Sequence, residues 1–172
     1  MTQPEAPARN AAHEMFDADA ASRRLGIEVL DIGPGRAVAR MRITADMVNG
    51  HAIAHGGYIF LLADTAFACA CNSHGPVTVA AGADITFVAP AKQGDVLIAR
   101  AEERTRFGRS GIYDVTVFRG SADGSDGADD FNGTGAPAEE VIAEFRGRSR
   151  TIGGKPTPPE PEPLLEPAEE GR

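Results

Sequence analysis

Residues 49–75 read NGHAIAHGGYIFLLADTAFACACNSHG, and this stretch decides how the rest of the chain is arranged. It opens with polar residues and glycines, then runs apolar from Tyr58 to Cys71 with a single charge, Asp64, in the middle. A segment apolar on all sides reads as a buried helix. Tyr58 to Ser73 would span about 24 Å, too short and too polar at its ends to cross a membrane. His74-Gly75-Pro76 supplies the stop signal, a glycine for the C-terminal cap and then a proline that cannot continue. A carboxylate inside such a helix carries a desolvation penalty unless something pairs with it or uses it, so Asp64 is the most informative residue of the chain.

Outward from this helix the pattern turns to strands. Gly26–Ile32 and Arg36–Thr44 are β-prone runs separated by Gly33-Pro34-Gly35, a hairpin signal. In the second run Val38 alternates with Arg40 and Arg42 against Ala39, Met41 and Ile43, which predicts a half-exposed strand. After the helix, Val77–Ala89 alternates with Val77, Val79, Ala81, Ala83, Ile85 and Phe87 on one face. Val96–Phe107, Ile112–Arg119 and Glu139–Thr151 complete a set of strands joined mostly by short turns, which implies antiparallel pairing. Residues 10–24 (NAAHEMFDADAASRR) predict one short amphipathic helix, loosely docked. A lone helix that is apolar all round needs a curling sheet on one side and a second copy of the chain on the other. No internal repeat is present.

At 172 residues one domain is expected, over residues 10–152, with residues 1–9 and the Pro/Glu-rich tail 153–172 disordered. The net charge of -8 is unevenly placed: residues 121–138 carry -4, residues 153–172 carry -3, and everything else only -1. The acidity belongs to a loop and a tail. The body offers no basic stripe, so no nucleic-acid partner is expected, and no membrane. The Gly/Asp-rich segment 121–138 has a calcium-loop look but lacks the EF-hand spacing and its glutamate. Cys69 and Cys71 lie two apart on a helix and cannot bridge each other, which fits small buried residues in a reduced compartment. The N-terminus lacks an apolar signal core, so a cytoplasmic protein is expected.

The motif N-G-H-x-x-x-H-G-G-x-x-F-x-L-A-D-T-A-F-A-x-A-x-N-S from Asn49 to Ser73 resembles the hotdog-fold acyl-CoA thioesterases of the phenylacetate-degradation (PaaI) type. The resemblance continues through Ala83-Asp84-Ile85-Thr86-Phe87 with Pro90, Gly94-Asp95, Gly108-Arg109 and Ile112-Tyr113-Asp114-Val115, covering Phe16 to Arg150. The acidic loop and the tail depart from the family pattern without touching the motif. The resemblance implies an α+β hotdog fold, an antiparallel sheet wrapped around one long central helix, paired as a homodimer or a homotetramer. It implies a site at the dimer interface, where the helix N-terminus of one subunit meets the helix carboxylate of the other. It also implies hydrolysis of an aryl-acetyl or other small to medium acyl-CoA, without metal or cofactor.

Thioester hydrolysis needs a fixed donor for the developing oxyanion and a base or nucleophile for the attack. By the resemblance, the Gly56 N–H is that donor and Asp64 is the carboxylate, as nucleophile through a mixed anhydride or as general base on water. Read as structure alone, Gly56-Gly57 eases a loop-to-helix transition, and Asp64 is a buried carboxylate satisfied by a backbone N–H or an arginine. Asn49 and His55 match positions that orient the thioester or hold the loop, and either could instead cap the helix. His51 and His55 are four apart, a metal spacing on a helix, but the glycine pair places them in a loop and no carboxylate completes a set. Gly57, Lys92, Arg106, Arg109 and Ser110 are substrate-binding candidates, the basic ones for the phosphates of coenzyme A. The basic residues read equally as solvated turn residues. Tyr58, Phe60, Leu61 and Phe67 are core or acyl-pocket lining. Two rivals remain: a hotdog hydratase or dehydratase acting on acyl thioesters, which wants a histidine paired with a carboxylate, and a non-catalytic acyl-CoA binding module.

Overall fold

The computed structural model describes residues 10–121 and 140–153. Its centre is helix α3 (Gly56–Asn72), one turn of glycine and aromatic residues followed by the apolar run. The helix ends where expected. Asn72 is its last residue, Ser73 follows as cap, and Gly75 adopts a φ of +105° that a side chain would resist. Asn72 then latches the helix to the next strand: Nδ2 donates to Ala68 O (2.9 Å) and Thr78 O (2.8 Å), and Oδ1 accepts from Thr78 N (3.0 Å). Among the described residues no helix is long and apolar enough to cross a membrane.

Six strands form one antiparallel sheet: β1 (Glu28–Gly33), β2 (Arg36–Arg42), β3 (Thr78–Phe87), β4 (Val96–Phe107), β5 (Ser110–Arg119) and β6 (Val141–Thr151). Their spatial order is β1-β2-β4-β5-β6-β3, so β3, the strand directly after the helix, crosses to the far edge. Alternation sets the two faces. Ala39, Met41, Leu97, Ala99, Val115 and Phe145 point inward and form one core with α3. The outer face is polar, with Arg146 donating to both carboxylate oxygens of Asp114 (2.6 and 2.9 Å) and Arg148 to Asp84 (2.9 Å). Arg146 holds the Asp114 carboxyl below the usual aspartate range.

Three expectations need correction. Strand β2 has one exposed side as expected, with Arg36 and Arg42 exposed and Arg40 partly so, but Val38 on that side is buried with Val96 and Ile98 beneath Leu30. The N-terminal helix is two helices, α1 (Ala11–Ala18) and α2 (Ala20–Arg24). Asp19 breaks it: its backbone leaves helical geometry (ψ 89°) and its side chain accepts from Ser22 N (3.0 Å) to start α2. Nor is the pair loosely docked, since Ala12 is 0% and Ser22 2% exposed, and Ser22 Oγ lies 2.8 Å from Thr65 Oγ1 on α3. Finally, the apolar residues of β3 do not share one face, because a bulge between Ala80 and Gly82 shifts the register. Val79, opposite Arg150, points to the other side from Ala83, Ile85 and Phe87, and Val79 is 41% and Phe87 52% exposed. The calcium reading of the acidic loop and the disordered terminal segments lie outside the described residues.

Phe67 is the packing keystone, 1% exposed, its ring 5.4 Å from that of Tyr113 and 5.9 Å from that of Phe145. Phe67→Ala should cost about 3–5 kcal/mol by denaturant unfolding. A loss below about 1 kcal/mol would mean that the core is organised elsewhere.

Candidate active site

The loop before α3 is rigidly tied. Asn49 Oδ1 accepts from His51 N (2.9 Å), Asn49 N donates to Ile53 O (2.8 Å), and Ala52 turns the chain at φ +59°. Ala54 N donates to Ala91 O and His55 N to Met47 O, each at 2.8 Å. His55 arrives as the N-cap of α3, its Nδ1 accepting from Gly57 N at 3.0 Å. Of the two candidate caps, then, His55 caps the helix and Asn49 holds the loop. An accepting Nδ1 places the ring proton of a neutral His55 on Nε2.

This capping leaves Gly56 N–H, the first amide of the helix, without an acceptor among the described residues. It sits at the positive end of the helix and faces a cleft of about 390 Å³ walled by Asn49, Ile59, Phe87, Val88 and Pro90. A Cβ at position 56 would fall 2.7 Å from Cζ of the half-exposed Phe87 ring. Any side chain there pushes the aromatic wall of the cleft away.

Asp64 stands eight residues further along the same helix, about 12 Å up its axis. It lies on a stripe with Gly57, Leu61 and Ala68 that the sheet leaves only partly covered. Neither a backbone N–H nor an arginine satisfies it: among the described residues it accepts no hydrogen bond, which sets aside the purely structural reading of a paired carboxylate. Burial pushes its pKa up, and the negative charge of Asp19 pushes it further the same way. The pKa values of the neighbouring Cys69 and Cys71 thiols are pushed up to about 12, chiefly by burial, and both cysteines are free and buried.

The remaining candidates divide between the two ends of α3. Lys92 follows Ala91 at the cleft wall and is exposed, its backbone N donating to Asp95 Oδ2 (2.8 Å). Arg106, Arg109 and Ser110 line a small hollow of about 40 Å³ at the opposite end, beside Cys71 and His74. Arg109 is already committed there, its Nε and Nη2 both donating to Thr151 O (3.0 and 2.9 Å). One chain therefore brings Asn49, His55, Gly56 and Gly57 together, with Lys92 at the rim, and leaves Asp64 and the arginine group apart. Sequence reading missed the cleft walls Phe87 and Val88, which an apolar pair ending a strand before Pro90 could have signalled. It also missed Asp19, for which no local signal exists. Among the described residues no three His, Cys, Asp or Glu side chains converge as a metal site.

A wrapped helix, an unpaired amide at its N-terminus and a half-buried carboxylate midway define a hotdog protein of the thioesterase class. The comparisons give the family. Residues 51–124 match the model of the thioesterase superfamily. Acyl-coenzyme A thioesterase PaaI of Escherichia coli (strain K12) is 39% identical over 143 residues, covering 83% of this chain and 90% of that protein. The structure of the E. coli PaaI protein from the phenylacetic acid degradation operon aligns with a TM-score of 0.72 at 39% identity, over 84% of this chain and 93% of that one. A variant of the phenylacetic acid degradation protein PaaI from Thermus thermophilus aligns with a TM-score of 0.65 at 30% identity, over 78% and 100%. The chain belongs to the thioesterase superfamily, among its PaaI-type acyl-CoA thioesterases.

The raised pKa of Asp64 fixes the sign of a stability effect. With the folded value above the unfolded one, the protonated carboxyl favours folding; that contribution is full below the unfolded pKa and lost as pH rises through the folded pKa. At neutral pH the charge opposes folding. Asp64→Asn should therefore raise the thermal midpoint near neutral pH, with the gain shrinking toward roughly pH 4. An unchanged or lower midpoint at neutral pH would show that the carboxylate is compensated in the native assembly.

Proposed function

We propose that the chain hydrolyses acyl-CoA thioesters to the free acid and coenzyme A as a homodimer, or a pair of such dimers, whose active sites each draw on two subunits. One observation carries this reading: the amide donor and the carboxylate assigned to the reaction lie about 12 Å apart on one rigid helix. They cannot meet at one carbonyl within a chain. Two open surfaces supply the second subunit. Among the described residues β3 is an edge strand with no neighbour on its outer side, and α3, with its partly covered stripe, packs against it. Antiparallel pairing of two β3 strands sets the Thr78 end of one beside the Phe87 end of the other. Arg106, Arg109 and Ser110, grouped near Thr78, are thereby carried to the rim of the opposite cleft, on the side where coenzyme A phosphates would lie.

In this arrangement the thioester carbonyl accepts from Gly56 N–H, which holds the oxyanion as it forms. The partner's Asp64 either attacks the carbonyl, giving a mixed anhydride that water later cleaves, or takes a proton from an attacking water. Either way the C–S bond breaks, and the thiolate leaves and takes up a proton. Both routes need Asp64 unprotonated and neither needs a metal or cofactor. Asn49 and His55 position the donor loop, Gly57 leaves it open to substrate, and Lys92 adds positive charge at the rim. The cleft, about 390 Å³ with Ile59, Phe87 and Val88 along it, suits a small to medium or aryl-acetyl group. The names of the relatives make phenylacetyl-CoA the first substrate to try. A cytoplasmic setting accords with two unpaired thiols.

His55 argues against the hydratase alternative, since its Nδ1 is occupied by Gly57 N rather than by a carboxylate.

Thiol release from phenylacetyl-CoA and medium-chain acyl-CoAs tests the activity. Asp64→Asn should lower kcat about 10²–10⁴-fold or more. Gly56→Ala should lower it about 100-fold by displacing the wall and the donor. Neither variant should unfold, and near wild-type turnover in Asp64→Asn would remove that residue from the chemistry. Because Asp64 must be ionised, kcat/KM should fall on the acid side at a pH above the ordinary aspartate range. Refolding the two inactive variants together should restore about a quarter of wild-type activity, since half the dimers are mixed and each mixed dimer has one intact site. Absence of recovery in a confirmed mixed dimer would place donor and carboxylate in the same chain.

A further inference from the structure

Hydrolysis as described makes no use of the break between α1 and α2, yet that break is tied directly to the central helix. Ser22 Oγ donates to Asp19 Oδ2 at 2.5 Å and lies 2.8 Å from Thr65 Oγ1, the residue next to Asp64. Thr65 Oγ1 in turn donates to Leu61 O (2.8 Å). Both hydroxyl residues are buried, and the second oxygen of Asp19 accepts from Ser22 N (3.0 Å), so neither oxygen of this carboxylate is free to swing. Its charge reaches α3 at two places more than one turn apart, Asp64 and Cys69.

Among the described residues no cation offsets it there. Arg23 on α2 donates to Asp17 O (2.6 Å), and Arg24 is exposed. On α3 itself the other titratable groups near Asp64 are the Cys69 and Cys71 thiols. From the sheet, Tyr113 and Glu103 face the far end of the helix with His74. The inward residues of β2 and β4 opposite α3 are apolar.

We infer that Asp19 is a positioning residue for Asp64: the helix break, locked by Ser22 and Thr65, holds a second negative charge beside the turn of α3 that carries the reacting carboxylate and makes that carboxylate a stronger base and nucleophile. A carboxylate that is harder to ionise holds its electron pair more readily for a proton or a carbonyl carbon, provided the pH keeps it ionised. The inference rests on the reading of Asp64 as the reacting group, but its test does not require turnover.

The experiment is a ¹³C NMR titration of the Asp64 carboxyl carbon in the full-length protein, the resonance assigned by its loss in Asp64→Asn. Asp19→Asn keeps the size of the side chain and a good N-cap, so α2 should form as before. The Asp64 midpoint should move down in this variant, and the acid limb of kcat/KM should follow it with KM little changed. Asp17→Asn, which removes the same charge from an exposed site on α1, should leave both where they were. An Asp64 midpoint unmoved in Asp19→Asn, or moved equally in Asp17→Asn, overturns the inference. If the midpoint moves while Asp64→Asn still turns over substrate, the coupling stands and the catalytic assignment of Asp64 fails instead.

Discussion

The fold is arranged around the problem of holding one negative charge in an apolar helix without neutralising it. Asp64 lies between Ala63 and Thr65, with the core on one side and no hydrogen-bond donor reaching it among the described residues. In a protein selected only for stability such a position would be alanine or leucine, and the helix would fit its sheet better for it. Retaining the carboxylate costs stability at neutral pH, and the chain recovers it elsewhere: in Phe67 between Tyr113 and Phe145, and in the Asn72 latch at the end of the helix. The desolvated charge lies on the stripe of α3, with Gly57, Leu61 and Ala68, that the sheet leaves only partly covered.

That stripe and the β3 edge open in the same direction, and each would be a liability in a monomer. A ten-residue edge strand with Val79 and Phe87 exposed invites pairing with another strand. A helix face with Leu61 and Ala68 partly bare asks for apolar cover. The proposed two-fold pairing beside β3 would answer both at once and bring the N-terminus of one helix toward the middle of the other. The proposed assembly and the proposed chemistry thus share a single geometric requirement.

How much of this was legible in the sequence depends on the range of the interaction. Helix α3, its end just before Gly75 and the strand succession came from local periodicity and turn residues, and local physics governs them. The hairpin at Gly33-Pro34-Gly35 was visible for the same reason. The division of residues 10–24 into two helices was not: alanine-rich sequence favours a continuous helix, and Asp19 breaks it through a cap whose worth depends on Ser22 meeting Thr65, 43 positions away. The burial of Val38 was hidden likewise, since alternation with two arginines reads as exposed until Leu30, Val96 and Ile98 are known to fold over it. Within the candidate site the motif named Asn49, His55, Gly56 and Gly57, which are neighbours along the loop and the helix start. It could not show that Arg106, Arg109 and Ser110 gather at the opposite end of the helix, because that depends on where the β4–β5 turn meets Cys71 and His74.

The protonation state of His55 separates the hydrolase from its nearest chemical rival. A histidine acting as general base needs a nitrogen lone pair directed at substrate, ordinarily with a carboxylate behind the other nitrogen to hold the tautomer. Here the lone pair of Nδ1 is turned inward onto Gly57 N, and the N–H left on Nε2 can donate but not accept. Using His55 as a base would require rotating the ring and uncapping the first turn of α3, which would disturb the amide proposed to receive the carbonyl. The His–carboxylate pair that does exist, His74 with Glu103 at 2.6 Å, lies at the other end of the helix. Its carboxylate is shared with Tyr113 OH at 2.8 Å. Burial alone would raise the pKa of Glu103, but these two hydrogen bonds together lower it, as suits a tie between helix and sheet rather than a proton carrier. Along α3 the carboxylate kept unpaired among the described residues, and so able to attack or to take a proton, is Asp64.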